Sequence, residues 1–413
     1  MINYRMSREM ALSSVILLVY AEGLFPFFEI YKEHAQFRAI VSIQLLMTLY
    51  FVGCAKPLYK LNMKSEQALW LIIYLFIFDL ILVKFTYTTI STFTWITIPI
   101  LWAISFRNYI INKGLNIVKV VKGVFFWYSF YCIFAILINV VRYNLYLDPN
   151  TRLSTPGGGA VIFGYTLAVL LSLLPLYKKY IRAPAYLTLN TIFLLTIFGT
   201  GSRGALWISF LIIIASSIFQ KGTSLRFKVF AACSTMLTLL ILTLFNFWEF
   251  LLQRNPRLFE TSDYSRETSS LGVWLTYFGY DTYHKFFGSG LGLTFPYQEW
   301  LIDVTRGVQD EESKLFETDG GSMLVQPHNS YYYFLLESGV VGLGLLLYPF
   351  VRGIKDAFKS SDKLYLIYIF TFMFVNCFDS VLIVQPGAAG ILWLMFFTTN
   401  YIKKPSFKGV KHS

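Results

Sequence analysis

Apolar runs long enough to cross a lipid bilayer recur along this chain from one end to the other, and no soluble core has room for them. The hydrocarbon interior of a bilayer is about 30 Å thick and takes roughly 20 residues of helix to cross. Twelve such runs are legible, near residues 10–28, 38–55, 66–83, 86–105, 121–141, 158–177, 185–201, 204–219, 229–250, 329–350, 364–383 and 388–402. Of the 413 residues, 56% are hydrophobic and only 14% charged. The expected fold class is therefore all-α, a polytopic transmembrane helical bundle forming a single integral membrane domain over 1–413. A long external loop, 251–327, is expected between the ninth and tenth spans. The first run carries Glu22 and Pro26 and no small-residue cleavage motif follows it, so it reads as a retained span and not as a signal peptide.

The formal net charge is +12, and its placement decides what it means. Arg5, Arg8, Lys56, Lys60, Lys64, Arg107, Lys113, Lys119, Lys122, Lys178, Lys179, Arg182, Lys221, Arg226 and Lys228 fall in one alternating set of connections, as do Arg352, Lys355, Lys359, Lys363 and the lysines after 402. The positive-inside rule puts that set, and both termini, in the cytoplasm. In the 251–327 loop acids outnumber bases, as an external segment should. The basic balance is topogenic, and no nucleic-acid partner is expected. Cys54, Cys132, Cys233 and Cys377 all lie within spans, so neither a disulfide framework nor a thiolate metal site is expected.

Most connections are short, which favours neighbours packed side by side. Two outside segments break that economy. In "RYNLYLDPNTRLSTPGGGAVIFGY", 142–165, Asp-Pro, Thr-Pro and three glycines preclude a continuous helix and expose backbone amides. In the 251–327 loop, "SSLGVWLTYFGYDTYHKFF", 269–287, has apolar residues at helical spacing and ends at "GSGLGL". It reads as an amphipathic helix on the outer membrane surface, stopped by glycine. The acidic stretch 303–321 reads as a solvated excursion.

Polar residues at the outer ends of spans are informative because placing them near hydrocarbon costs free energy. Pro327, His328 and Asn329 lead into the tenth run; Arg203 sits in the hairpin "GTGSRGALW"; Arg152 sits in the glycine-rich loop; Arg254, Arg257 and Arg266 open the long loop. His328 has two readings, a wetted residue at a helix start capped by Asn329, or a general base able to take a proton from a hydroxyl. His284 has similar chemistry but lies among aromatics on the expected surface helix, where an ordinary amphipathic role is the favoured reading, and His34 and His412 read as background. An external arginine is commonly a headgroup contact. Small residues around Arg203 allow a diphosphate to approach the backbone, and two or three guanidinium groups can neutralise one without a metal. No His-x-x-x-His pair, Walker loop, Gly-x-Ser-x-Gly elbow or dinucleotide fingerprint is present, so no metal and no cofactor are expected.

Taken in order, these segments resemble the bacterial O-antigen polymerase and O-antigen ligase superfamily. "PHNSYYYFLLESGVVGLGLLL" resembles its Pro-His-Asn-x-Tyr element with a following Glu-x-Gly, "GTGSRGALWISFLIII" its Ser-Arg-Gly hairpin, and "TRLSTPGGG" its Arg-Leu-Ser loop. "VWLTYFGYDTYHKFFGSGLG" is similar to the family helix that carries a tryptophan and ends in Gly-x-Gly. The likeness covers nearly the whole chain. It implies a metal-independent inverting glycosyltransferase of the bacterial inner membrane, with its active site facing the periplasm. The implied partners are undecaprenyl-diphosphate-linked oligosaccharide and membrane lipid, with a chain-length regulator protein as a candidate protein partner. By the same resemblance His328 would assist the acceptor hydroxyl, and Arg152 and Arg203 would hold the donor diphosphate. The family arginine expected four residues before Trp274 is Ser270 here, and Arg266 is the nearest arginine upstream. Asn329, Glu337 and Asp379 are carried as supporting residues.

The Pro-His-Asn-Ser-Tyr wording favours a polymerase over a ligase that passes the chain to lipid A core. A polytopic transporter is the rival from another class. No similarity between the halves and no matched acidic residues at mid-span favour it.

Overall fold

The computed structural model describes residues 7–20, 33–54, 63–78, 87–143, 152–153, 160–219, 273–292, 315–318, 321–324, 329–359, 363–378, 381–384 and 386–399. The described chain is helical apart from one two-stranded ribbon. In order it contains α1 (Arg8–Tyr20), α2 (Glu33–Cys54), α3 (Met63–Tyr74, with helical backbone continuing to 78), α4 (Tyr87–Asn112), α5 (Ile117–Tyr143), α6 (Ala160–Tyr177), α7 (Ala183–Thr200) and α8 (Arg203–Phe219). Then come α9 (273–279), α10 (Thr282–Phe287), β1 (Leu315–Thr318), β2 (Gly321–Leu324), α11 (Ser330–Glu337), α12 (Gly339–Lys359), α13 (Lys363–Phe378), α14 (Val381–Val384) and α15 (Pro386–Thr398).

Among the described residues three stretches, Ile117–Val141, Ala160–Tyr180 and Ala183–Thr200, are long and apolar enough to cross a membrane, and several shorter apolar helices accompany them. That is the make-up of a helical membrane protein. The ninth expected span, 229–250, lies outside the described residues.

Two helices form the centre. Nearly every residue of α6 is buried, and every residue of α15 is. Around α6 pack α7, α8 and α13; α15 lies along α4, which also carries α2; α1 pairs with α5 and α3 with α12. In lipid no water-exclusion gain drives apolar helices together, so close packing must do so, and small residues permit it. Gly390 of α15 shows this: a Cβ there would sit 2.8 Å from Gln44 Nε2 and 3.1 Å from the Trp102 ring. Gln44 in turn donates to the Pro386 carbonyl at 2.8 Å, which gives its buried amide N–H an acceptor at the start of α15. Phe350, Phe372, Trp393 and Phe396 fill the space between α12, α13 and α15, with ring centroids 5.1–6.0 Å apart.

Three sequence expectations are revised. The tenth run, 329–350, is not one helix: α11 stops at Ser338, and α12 starts at Gly339 with φ 65°. The expected amphipathic helix 269–287 is two, α9 and α10, interrupted at Tyr280 and Asp281. Part of the segment expected to be a solvated excursion forms β1, which pairs antiparallel with β2 in the register Leu315 opposite Leu324 and Thr318 opposite Gly321.

Candidate functional site

The site is built where α6, α8 and α11 begin and α7 and α13 end. Thr200 closes α7, and Gly201, at φ 65°, turns the chain while its N–H bonds the Phe198 carbonyl at 3.1 Å. The left-handed conformation suits glycine, so the hairpin reverses within two residues. Thr200 Oγ1 donates to the Ile197 carbonyl (2.7 Å) and accepts the Ser202 N–H (3.2 Å). Gly164 of α6 makes room for the turn: a Cβ there would lie 2.8 Å from Thr200 Oγ1 and 3.1 Å from the Cβ atoms of Ser202 and Ala205. Gly204 has the same role against the Tyr165 hydroxyl. Arg203, half-buried, is thereby fixed as the first residue of α8.

Arg152 reaches the same hairpin through the backbone. The Leu153 N–H donates to the Gly199 carbonyl at 2.8 Å, and the Leu153 side chain is buried while Arg152 is exposed. Two permanently charged groups therefore flank one turn, at the positive end of the α8 dipole. That combination favours an anion.

Asn329 caps α11. Its Oδ1 accepts the N–H groups of Tyr331 (2.9 Å) and Tyr332 (3.3 Å). Ser330 Oγ donates to Asn376 Oδ1 at 2.9 Å and the Tyr331 hydroxyl to the Met373 carbonyl at 2.8 Å, so the start of α11 is tied to the last turns of α13. The far end of α11 is tied to α3, because the Tyr74 hydroxyl donates to the Ser338 carbonyl at 2.8 Å. Helix α11 is thus a crossbeam between the ends of α13 and α3 and not the first turns of a span.

Glu337 is buried at that second junction, seven residues from Ser330 and so about 10 Å along the helix axis. Its carboxylate accepts the Gly292 N–H. The neighbouring N–H groups of Ser289 and Gly290 bond the carbonyls of Leu336 (3.0 Å) and Glu337 (2.9 Å). Carbonyls at a helix end lack intrahelical partners, and here the "GSGLG" loop supplies them. Gly288 (φ 80°) presses on the backbone of Glu337 and Ser338, and Gly339 on that of Phe286 and Phe287, so a Cβ at either place would collide with main chain. The structure therefore places Glu337 in a loop anchor, at the opposite end of α11 from the Asn329 cap.

Helices α9 and α10 lie over this end. The Trp274 ring meets Tyr332 edge-on at 5.8 Å, and Phe287 stacks on Phe78 at 5.0 Å. Asp281 caps α10, and hydrogen bonds from the His284 backbone and ring hold its carboxyl below the ordinary aspartate value. Trp274, Leu275, Phe278, Tyr283 and Phe286 remain exposed, as a surface-lying amphipathic pair requires.

His328, Arg266 and Asp379 lie outside the described residues, His328 being bonded directly to the capping Asn329. Among the described residues no three His, Cys, Asp or Glu side chains gather as a metal-ligating group. The sequence reading missed Asn376 and Tyr74. Asn376 had a signal, a buried amide in an apolar run, whereas a tyrosine near a span end is too common to stand out. Compared with protein-family models the chain matches none, and no curated protein matches it at a significant level.

Proposed function

We propose that this chain is an inverting membrane glycosyltransferase of twelve spans in a bacterial inner membrane. It polymerises undecaprenyl-diphosphate-linked oligosaccharide repeat units into O-antigen or a related surface polysaccharide. The acceptor hydroxyl attacks the anomeric carbon of the donor sugar, the bond to the diphosphate breaks with inversion, and His328 takes the hydroxyl proton. Arg152 and Arg203 bind the diphosphate and offset the charge that grows on it as it leaves. Such preorganised donors are commonly worth about 3–4 kcal/mol in the transition state. The periplasmic face is where lipid-linked units are available without a nucleotide sugar.

What supports this reading most is the Leu153–Gly199 hydrogen bond, which joins the Arg152 loop to the Arg203 hairpin. The Asn329 cap and the Ser330–Asn376 bond, which fix the segment just after His328, support it further. The test is reconstitution of the full chain in liposomes with lipid-linked repeat units and a chelator. A polymer ladder is expected, with Arg203→Ala, Arg152→Ala and His328→Ala each lowering the rate by roughly a hundredfold or more at unchanged protein level. Substrate that crosses the vesicle without lengthening would instead identify a transporter, and transfer only to lipid A core a ligase.

A further inference from the structure

Two consecutive residues of α6 carry the Arg203 hairpin. Gly164 faces the turn, where a Cβ would meet Thr200, Ser202 and Ala205, and Tyr165 faces Gly204. A Cβ on Gly204 would collide with the Tyr165 hydroxyl and lie 3.0 Å from Cζ and 3.1 Å from Cε1, so the edge of the phenol rests on the main chain of the first turn of α8. Gly204 lies inside α8 and is not among the glycines of positive φ. It is needed there for room and not for its dihedral angles. Tyr165 is itself only 1% exposed, on a helix of which nearly every residue is buried.

We propose that Tyr165 is a positioning residue that sets where the Arg203 guanidinium stands, an inference that rests on the diphosphate-binding role proposed above for that arginine. Ser202 packs on Gly164, and its carbonyl accepts the Leu206 N–H at 3.0 Å; Gly204 packs on Tyr165. The residue between them therefore has both neighbours fixed to α6. Successive helix residues turn by about 100°. Arg203 thus stands about 200° around α8 from Ala205, which packs on Gly164, and its side chain sets out away from α6. The phenol acts on the guanidinium through the main chain. An electrostatic site needs its groups placed to within about 0.5 Å, and a 1 Å error can cost about a hundredfold. A buried ring on a buried helix supplies a reference of that stiffness. The Leu153–Gly199 bond ties the Arg152 segment to the same hairpin, so α6 is the frame from which both cations are set.

Binding of inorganic pyrophosphate to the full-length protein in nanodiscs, followed by isothermal titration, tests this apart from any polymerisation. Gly204→Ala forces the phenol and the first turn of α8 apart by on the order of 1 Å, the difference between the overlap and van der Waals contact. It is expected to raise the Kd roughly tenfold. Adding Tyr165→Phe removes the colliding oxygen and is expected to bring the Kd back to within roughly threefold of wild type. In an Arg203→Ala chain, where the guanidinium to be misplaced is gone, Gly204→Ala is expected to change the Kd no further. A folding defect lowers the number of sites per protein and leaves the Kd of the remainder alone, so the two effects separate in one titration. If Gly204→Ala does not fold, Tyr165→Ala decides, with a rise in Kd expected when Arg203 is present and none when it is alanine. A Gly204→Ala chain with the wild-type Kd, a double variant that regains nothing, losses that add to that of Arg203→Ala, or a wild-type chain that binds no pyrophosphate would overturn the proposal. The expected pattern of binding without chain growth would leave it standing while removing the polymerase reading.

Discussion

Two glycines fifty-one residues apart mark one crossing of main chain on main chain, Gly288 against Glu337 and Ser338 and Gly339 against Phe286 and Phe287. Gly288 and Gly339 both have φ in the left-handed region and both touch main chain. Gly339→Ala should destabilise the protein by about 1–3 kcal/mol from backbone strain alone, with the collision added. Gly344 has open space at its Cβ position, and as a helix-interior site its replacement by alanine should be neutral or mildly stabilising. Thermal unfolding in one detergent checks both, and equal losses would contradict the described crossing. The sequence suggested a turn at "GSGLG" and matched Glu337 to a motif. It could not disclose that the carboxylate accepts the Gly292 N–H, because the pairing is between segments far apart in the chain.

Helix α11 shows what periodicity reveals and what it conceals. "SYYYFLLESGVVGLGLLLYPF" is apolar throughout, so a composition window runs across Ser338 without a break. The break is imposed from outside, by the 288–292 loop and the Tyr74 hydroxyl, both of which take backbone carbonyls at the helix end. Most other helices were legible because their apolar length is a local property. The meeting of the Arg152 and Arg203 segments was implied only by the resemblance and not by local pattern, since it depends on a backbone bond between Leu153 and Gly199. Asn329→Ala removes a cap worth about 1 kcal/mol and should loosen the first turn of α11. The expected outcome is faster hydrogen exchange at the Tyr331 and Tyr332 amides with the α13 amides unchanged. If the α11 crossbeam orients His328, polymer formation should fall as well, while Asn329→Asp, which keeps an acceptor, should retain most of it.

For the molecule as a whole, the basic connections carry a testable orientation. Lys113 and Gly114 form the turn between α4 and α5, Lys178 and Lys179 follow α6, and Lys363 opens α13. The positive-inside rule predicts that these lie on one face and the Gly201 hairpin, the Asn329 cap and α10 on the other. In intact spheroplasts, single cysteines at Ser289 and Arg152 should react with a membrane-impermeant maleimide in an otherwise cysteine-free chain. A cysteine at Gly114 should react only after lysis. Labelling of all three from outside would invert or abolish the twelve-span scheme.

The burial of α6 bears on how this protein is made. The α6 stretch is 89% enclosed, against 44% for α5 and 28% for α7, and its coat includes α13 and α15, which leave the ribosome some two hundred residues later. Through that interval its apolar sides must rest on lipid or an insertase, which its hydropathy permits. Insertion and enclosure are then separate events in time, and a nascent chain halted before residue 386 would hold this segment in the bilayer with part of its surface still waiting for a neighbour.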